Sequence, residues 1–365
     1  YEPSQIEYAD LSLLTIDSSG YFISTYISVA DLITKAGNLS TNGLYGAHII
    51  KSDSNCNILW TASLVPQAGS TTYLYLWDIK TIGNSVFIFG HTGSGSAFTC
   101  QGTTIGQNLN FILKFDSTGN LAGSYTWSNT SLVKNIAVLN NRRICFLENF
   151  YFESLNENLE VSSKMVFNNA FSTNNGHLRF DIKGNDIAIS FRRAGTIYQV
   201  HVNGSIVKEF SPTVWASTGI DSRISMIDPS NIGLALNVPE MISTTSAGLI
   251  NWNLVNGTSV DGKVIDLKSD NDYFYCSYSM FPQGRKKILN QVYIDVIERN
   301  TIYIIKFDKN GTILDVRSVG NSNVFYGGAL TISNGKKYVQ FCTSNALLNQ
   351  GIEYQPGCYI AQIFD

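Results

Sequence analysis

Short apolar runs separated by turn residues recur along the whole chain, and one of them is closely repeated. The stretch 110–121 contains an apolar run, an Asp-x-x-Gly turn and the start of a second run. The same order of residues returns at 302–314 and, less regularly, at 48–60. Apolar runs bounded by Gly, Asn and Asp predict antiparallel hairpins, and their repetition predicts an array of like units.

A second kind of repeated hairpin precedes the first kind. Its first strand carries Asp, one apolar residue and Lys before an Asn-containing turn, at Asp78/Lys80, Asp181/Lys183 and Asp266/Lys268. We name the strands of this hairpin A and B, and those of the following hairpin C and D. With these names the chain divides into seven units of four predicted strands.

The seven units fill residues 1–365 as a single domain. They are predicted roughly at 9–64, 74–127, 132–167, 177–210, 222–260, 263–318 and 325–365, the last one supplemented by 1–8. Unit seven ends before its strand D. We therefore expect residues 1–8 to join the last blade as that strand and to close the ring, because an open ring would leave strand edges exposed. The sequence thus predicts an all-β fold, a seven-bladed β-propeller with four-stranded antiparallel blades.

Two segments bear on the details of this division. In unit five, 232–236 is predicted as strand B and 249–252 as strand C. Between the predicted strands B and C of unit six, the pattern at 286–299 fits either a short helix or an additional hairpin.

Composition narrows the range of partners. Hydrophobic residues make up 44% of the sequence, and charged residues, at 15%, fall below the usual ~25%. The net charge of −3 gives no general attraction for nucleic acid or for an anionic membrane. No run approaches the ~20 apolar residues of a membrane-spanning helix. We therefore expect a protein or glycan partner, without nucleic acid and without membrane insertion.

No metal and no cofactor is predicted. The six cysteines form no C-x-x-C pair, and the four histidines form no ligand cluster. Cys342 and Cys358 lie on strands that we expect to be neighbours, so either a disulfide or two buried thiols fits them. Glu153, Glu157 and Glu160 crowd one edge of unit three, where they fit a solvated acidic patch or a weak calcium site.

Three segments resemble the bacterial SBBP-type β-propeller repeat: Leu13–Gly20, Phe87–Thr92 and Leu113–Gly119. The resemblance extends over units one and two, unit six and parts of unit seven. It implies a propeller that is commonly part of an exported or surface protein, and it implies no particular activity. The C–D turns before Trp60 and Trp127 also resemble the Asp-box of sialidases with altered spacing, and that box is a folding motif distant from the chemistry.

The repeated Asp and Lys residues allow two interpretations. Residues two apart on one strand point to the same face, so the pairs fit acid, base or ligand groups around a central channel. They also fit hydrogen-bonded ion pairs that bridge adjacent blades. Repetition favours the bridging interpretation, because a catalytic group is usually needed only once.

Loop length points to one side of one face. The long connections join strands B and C, at 29–45, 91–109, 280–299 and 344–357. They belong to units one, two, six and seven, which are consecutive in a closed ring of seven. Long loops often carry function, and aromatic residues with Arg are favoured in recognition surfaces. The predicted contacts are Phe98, Trp215, Phe281, Arg285, Lys286, Lys287, Tyr293 and Tyr354, with Tyr73 and Tyr75 nearby. In the alternative interpretation, these aromatic residues only hold the long loops against the blades.

The sequence favours a non-enzymatic recognition, adhesion or structural surface module, which binds a glycan or protein through the long-loop face. We expect it to be secreted or displayed on a cell or virus particle. One alternative is a carbohydrate-active propeller enzyme, a glycoside hydrolase or lyase, which requires converging catalytic groups that the sequence does not reveal. Another is an intracellular, cytoplasmic interaction scaffold. The oligomeric state stays open.

Overall fold

The computed structural model of the chain consists of short β-strands and turns. The residues that it describes are 2–3, 13–28, 32–34, 37–40, 46–67, 74–95, 97–128, 135–139, 143–148, 151–166, 179–184, 186–193, 197–202, 205–210, 222–236, 240–255, 262–280, 284–288, 291–296, 301–319, 324–343, 347–349, 352–354 and 357–364. Among these residues there is no helix of the length and hydropathy needed to cross a membrane.

The strands of the first two units come in close succession. Unit one and the segment before it contribute β1 (Glu2–Pro3), β2 (Leu14–Ile16), β3 (Phe22–Ser28), β4 (Leu32–Thr34), β5 (Gly37–Leu39), β6 (Gly46–Ser52) and β7 (Ile58–Pro66). Unit two contributes β8 (Leu74–Ile82), β9 (Ser85–Thr92), β10 (Phe98–Cys100), β11 (Thr103–Ile105), β12 (Leu109–Phe115) and β13 (Leu121–Ser128).

Units three to five have four described strands each. Unit three contributes β14 (Ala137–Leu139), β15 (Arg143–Glu148), β16 (Tyr151–Leu155) and β17 (Val161–Val166). Unit four contributes β18 (Arg179–Lys183), β19 (Asp186–Arg193), β20 (Ile197–Val202) and β21 (Ser205–Phe210). Unit five contributes β22 (Ser222–Asp228), β23 (Asn231–Leu236), β24 (Glu240–Thr244) and β25 (Ile250–Val255).

The last two units again have additional strands. Unit six contributes β26 (Gly262–Ser269), β27 (Phe274–Met280), β28 (Gly284–Ile288), β29 (Val292–Val296), β30 (Thr301–Phe307) and β31 (Ile313–Val319). Unit seven contributes β32 (Val324–Ser333), β33 (Lys336–Thr343), β34 (Leu347–Asn349), β35 (Ile352–Tyr354) and β36 (Gly357–Phe364).

The described strands form a β-propeller. Units one to six each form an antiparallel sheet whose strands A to D follow in sequence order, and unit seven forms a three-stranded sheet β32-β33-β36. The first strands contact one another in succession, from β2 to β8, β14, β18, β22, β26 and β32, and β32 in turn contacts β2. Several similar antiparallel sheets, arranged around one axis so that their first strands contact one another, form the architecture of a propeller.

The predicted units lie close to these elements, with one error in unit five. Unit two, predicted at 74–127, begins with β8 at Leu74 and ends with β13 at Ser128. The predicted strand C at 249–252 is wrong, because strand C is β24 and the predicted segment falls largely in β25, which is strand D. Glu240 precedes and Ser243 and Thr244 follow Met241 and Ile242 in β24, so its apolar run is only two residues long. The described part of 286–299 belongs to the hairpin β28–β29.

A five-residue turn explains the repeated Asp-x-x-Gly. In unit two, Asp116 Oδ1 accepts the N–H groups of Thr118 and Asn120 at 2.8 and 3.0 Å. The fourth residue, Gly119, has a φ of 90°, a left-handed conformation that glycine adopts without strain. Equivalent first residues accept the same pair of backbone donors at Asp17, Asp53, Asn156, Thr245 and Asp308.

The hydrophobic core lies between neighbouring sheets. One cluster joins Phe89 and Trp127 of unit two to Phe146 of unit three and Phe180 of unit four. The contact between units one and two also involves a tryptophan, because Trp60 Nε1 donates to the Ser117 carbonyl at 3.2 Å. Units five and six repeat it, since Trp252 Nε1 donates to the Lys309 carbonyl at 2.9 Å.

Candidate functional site

The long B–C connections contain a second set of hairpins. They are β4–β5, β10–β11, β28–β29 and β34–β35, in units one, two, six and seven. The connections in units three, four and five span only 149–150, 194–196 and 237–239. Because all B–C connections of a propeller lie on one face, these four hairpins share that face.

The hairpin β10–β11 packs against unit one. Strand β10 pairs with β7 and extends the sheet of unit one. Phe98, Cys100 and Ile105 are buried in the core that units one and two share. The prediction of Phe98 as a ligand contact is therefore wrong, because this side chain is 0% exposed. For Phe98, the alternative interpretation, in which the aromatic residue holds its loop against the blade, is correct.

A glutamine fastens the turn of this hairpin. Gln101 Nε2 donates to the Gly119 carbonyl at 2.7 Å, and its Oε1 accepts the Leu121 N–H at 2.6 Å. Gln291, at the turn of β28–β29, forms the same pair of bonds with Gly311 and Ile313 at 2.7 and 2.9 Å. Sequence reasoning missed both glutamines. The available signal was one Gln at the turn of each hairpin in the two units with the best Asp-x-x-Gly repeats.

Five of the predicted contacts lie on the hairpins β28–β29 and β34–β35. Arg285 and Lys287 on β28 stand opposite Asp295 and Tyr293 on β29, and Lys286 stands between them. On the other hairpin, Tyr354 of β35 stands opposite Leu347 of β34. The backbone therefore gathers three consecutive basic residues and Tyr293 on one hairpin. Trp215, Phe281 and Tyr73 lie outside the described residues.

An aromatic stack occupies the same face at strand A of unit two. Tyr75 is 37% exposed. Its ring lies parallel to that of Trp77 at a centroid distance of 5.2 Å and to that of His91 at 6.0 Å. Burial lowers the pKa of His91, and its hydrogen bond to the Leu109 carbonyl opposes this shift. The imidazole is therefore neutral at pH 7.

The repeated carboxylates on the first strands bridge adjacent units through backbone N–H groups. Asp78 Oδ1 accepts the N–H of Ile79, the next residue, at 2.8 Å, and its Oδ2 accepts the Ile136 N–H of unit three at 3.0 Å. Asp181 does the same with Ile182 and Met226, and Asp266 with Leu267 and Leu330. The bridging interpretation is correct in this form, and it gives these carboxylates a structural role.

The lysines of these strands lie beside the carboxylates or extend past them. Lys80 Nζ lies 2.9 Å from Asp78, and Lys268 Nζ lies 3.6 Å from Asp266. Lys183 instead donates to Asn271 Oδ1 of unit six at 3.3 Å. These ion pairs are each formed within one unit and do not cross between units.

The remaining predicted groups have structural partners. Cys342 and Cys358 are opposite each other on β33 and β36 and form a disulfide. Glu153 is buried and receives a long hydrogen bond from Tyr125, so it is not part of a solvated patch. Within the described ranges, no three His, Cys, Asp or Glu residues gather in a way that suits a metal ion.

Comparisons with known proteins give structural neighbours only at low sequence identity and at TM-scores below 0.5. No protein-family model matches the sequence, and no curated protein matches it. Among solved structures, BamB from Moraxella catarrhalis aligns at 10% identity and a TM-score of 0.49, over 91% of this chain and 82% of that chain. The Pan2 WD40 domain of Neurospora crassa aligns at 13% and 0.42, over 74% and 75% of the two chains. BBS1N, solved in complex with ARL6DN, aligns at 7% and 0.44, over 81% and 84%. Likenesses at these identities concern the fold alone.

Proposed function

We propose that this protein is a non-enzymatic recognition module, which binds a protein partner through the side of the propeller that carries the B–C hairpins. The uneven distribution of these hairpins carries the proposal. Units one, two, six and seven each have one, whereas the connections in units three to five are too short for one. Hairpins on a rigid scaffold bind with a small loss of conformational entropy, because they are already ordered.

The proposal includes a ring of seven blades in one domain, closed between units seven and one. The Phe22 and Tyr338 rings support it, since they belong to these units and lie 5.0 Å apart. Gln340 Nε2 also donates to the Thr25 carbonyl at 3.3 Å. Residues 1–8 are the proposed last strand. Their described part, β1, pairs with β4 and comes within 8 Å of β36 between Cα atoms. Closure makes the four hairpin-bearing units consecutive.

We propose an exported or surface-displayed location, and membership of the SBBP-type repeat family. The Cys342–Cys358 disulfide supports export, because disulfides persist mainly in oxidising compartments. Thiol titration of the unfolded, freshly purified protein tests this. Export predicts four free thiols from the six cysteines, whereas six would contradict it.

A peptide-display library is the probe for the proposed function. Peptides selected on the wild-type protein are tested against Arg285→Glu/Lys286→Glu/Lys287→Glu on β28. The matched control is Arg192→Glu/Arg193→Glu, which reverses two charges at the end of strand B in unit four. We expect the β28 variant to bind at least about tenfold more weakly and the control to bind normally. Hydrogen exchange should show protection at the four hairpins. Protection confined to units three to five would contradict the proposal.

Glycan recognition is a second candidate, which the exposed stack of Tyr75, Trp77 and His91 favours. Sugar rings present C–H groups that pack against aromatic faces, and such faces contribute much of the contact energy of binding sites. A glycan array with the wild type and Tyr75→Ala tests it. Binding that Tyr75→Ala abolishes would favour this candidate. Turnover in a glycosidase assay, lost in Asp78→Asn, would overturn both recognition proposals.

A further inference from the structure

Three lysines from alternate units face the central channel. Lys80, Lys183 and Lys268 occupy the same position on the first strands of units two, four and six, two residues after the bridging Asp. Because the first strands surround the propeller axis, equivalent positions on them lie at a similar height in the channel. The side chains of Lys80 and Lys268 are 28% and 35% exposed.

Two of these lysines interact with groups on other units. Lys183 belongs to unit four, yet its Nζ lies 3.3 Å from Asn271 Oδ1, on unit six. Lys268 is affected by carboxylates on two other units. Burial lowers the pKa of Lys268, but Asp266, Asp78 and Asp181 raise it overall. Lys268 therefore stays protonated throughout the physiological pH range.

The carboxylates beside these lysines are also engaged by backbone hydrogen bonds. Each carboxylate accepts two backbone N–H groups. The side chain of Asp78 is 12% exposed, and that of Asp266 is 18% exposed. Burial raises the pKa of Asp181, against the effect of its hydrogen bonds and of nearby lysines. Lys183, of the same unit, has a neutral amide as its partner.

The ammonium groups retain free donor capacity. An ammonium has three N–H donors, and each of the three lysines has one acceptor among the described residues. Each ammonium group therefore leaves unused N–H donors on the channel wall.

We propose that the channel binds a small oxyanion of the phosphate class between Lys80, Lys183 and Lys268. Hydrogen bonds between ammonium groups and anionic oxygens are short and are about twice as strong as neutral ones. A phosphate has enough oxygens to accept from three ammonium groups at once. A cation is disfavoured there, because the exposed donors are positively charged.

Inorganic phosphate is the probe, measured by calorimetry against chloride at equal ionic strength, with acetate as a second anion. The variants are Lys183→Met and Lys268→Met. The matched control is Lys336→Met, an exposed lysine at the A–B turn of unit seven, on the same face. We expect saturable phosphate binding, weakened about tenfold by each channel variant and unchanged by Lys336→Met. Acetate should bind more weakly than phosphate, because it has fewer acceptors and less charge.

Three results would overturn the proposal. They are no saturable phosphate binding up to roughly 10 mM, unchanged affinity in both channel variants, and an equal loss in Lys336→Met. Acetate binding as tightly as phosphate would replace the phosphate class by a carboxylate. Thermal unfolding provides a second measurement, because a ligand that binds only the native state raises Tm. Lys183→Met keeps the test valid if Lys268→Met does not fold, since the partner of Lys183 is neutral.

Discussion

The same packing position is filled from opposite sides in two contacts between units. One is the contact between units one and two, and the other is the contact between units two and three. In the first, Trp60 lies against Gly119, where an added Cβ would come within 2.7 Å of the indole. In the second, the residue equivalent to Trp60 is Gly123, and the residue equivalent to Gly119 is Leu159. An added Cβ at Gly123 would meet Leu159 Cδ1 at 3.5 Å.

The difference shows that two positions share one packing site. One is the fourth residue of the C–D turn, and the other is on strand D of the preceding unit. Units five and six repeat the first solution, with Trp252 against Gly311. Leu159 adopts a φ of 64° to occupy its turn position. Only one of the two positions carries a large side chain in each of these three contacts, which complementary packing requires.

The largest effect is expected from removing the tryptophan. Trp60→Gly should lower the free energy of unfolding by about 4 kcal/mol, because it leaves a cavity against unit two and adds backbone entropy to the unfolded chain. Denaturant unfolding measures the loss. Leu59→Gly is the matched control, since Leu59 is adjacent and 46% exposed. Equal losses for the two variants would refute the shared site.

A large side chain at the glycine position should lower the free energy of unfolding somewhat less. Gly119→Leu should lower the free energy of unfolding by about 3 kcal/mol, because the new side chain meets Trp60 and the left-handed backbone becomes strained. Gly20→Leu is the control. Gly20 ends the same kind of turn at a φ of 81°, with nothing within 4 Å of an added Cβ.

The double variant Trp60→Gly/Gly119→Leu recreates the arrangement at Gly123 and Leu159. Its loss should fall below the sum of the two single losses by about 1 kcal/mol or more. Additive losses would mean that the two positions do not share a site.

A smaller effect is expected from the glutamine that units two and six have in their hairpin turns. Gln101→Ala should lower the free energy of unfolding by about 1–2 kcal/mol, because two hydrogen bonds to the C–D turn are lost. Gln291→Ala should have a similar effect. Gln101→Glu keeps the acceptor for Leu121 but places a carboxylate against the Gly119 carbonyl, so it should not restore stability. Full stability in Gln101→Ala would show that the hairpin is held by its apolar face alone.

The smallest effect concerns Asp116, the first residue of the C–D turn, and the dependence of stability on pH. The side-chain hydrogen bond from Thr118 lowers the pKa of Asp116 from 3.8, followed by the bonds from Asn120. A carboxyl group whose pKa is lower in the folded than in the unfolded protein adds stability at pH values above its unfolded pKa. This stability is lost as the pH falls through the folded pKa. Asp116→Asn should keep the turn, as Asn156 does in unit three, and should reduce the loss of stability below about pH 4. An unchanged acid transition would contradict this role.

Much of the framework was predictable because its local signals repeat. Asp116 and Gly119 belong to a motif that marks a turn wherever it recurs, and the units lie within a few residues of their predicted bounds. Strand β24 was missed because its polar residues shorten the apolar run. Phe98 was placed on the surface because loop length alone does not reveal that β10 joins the sheet of unit one. The partner of Lys183 is 88 residues away in the sequence, so single-sequence reasoning had no signal for it.

The contact between units seven and one, which closes the proposed ring, is tested most directly by a double-mutant cycle on Phe22 and Tyr338. The unfolding free energies of Phe22→Leu, Tyr338→Leu and the double variant are compared with that of the wild type. A ring in which the first and last units pack together predicts a coupling of about 0.5–1.5 kcal/mol, typical of aromatic pairs in contact. Additivity within about 0.3 kcal/mol would contradict the closed ring, and with it the continuous hairpin-bearing side.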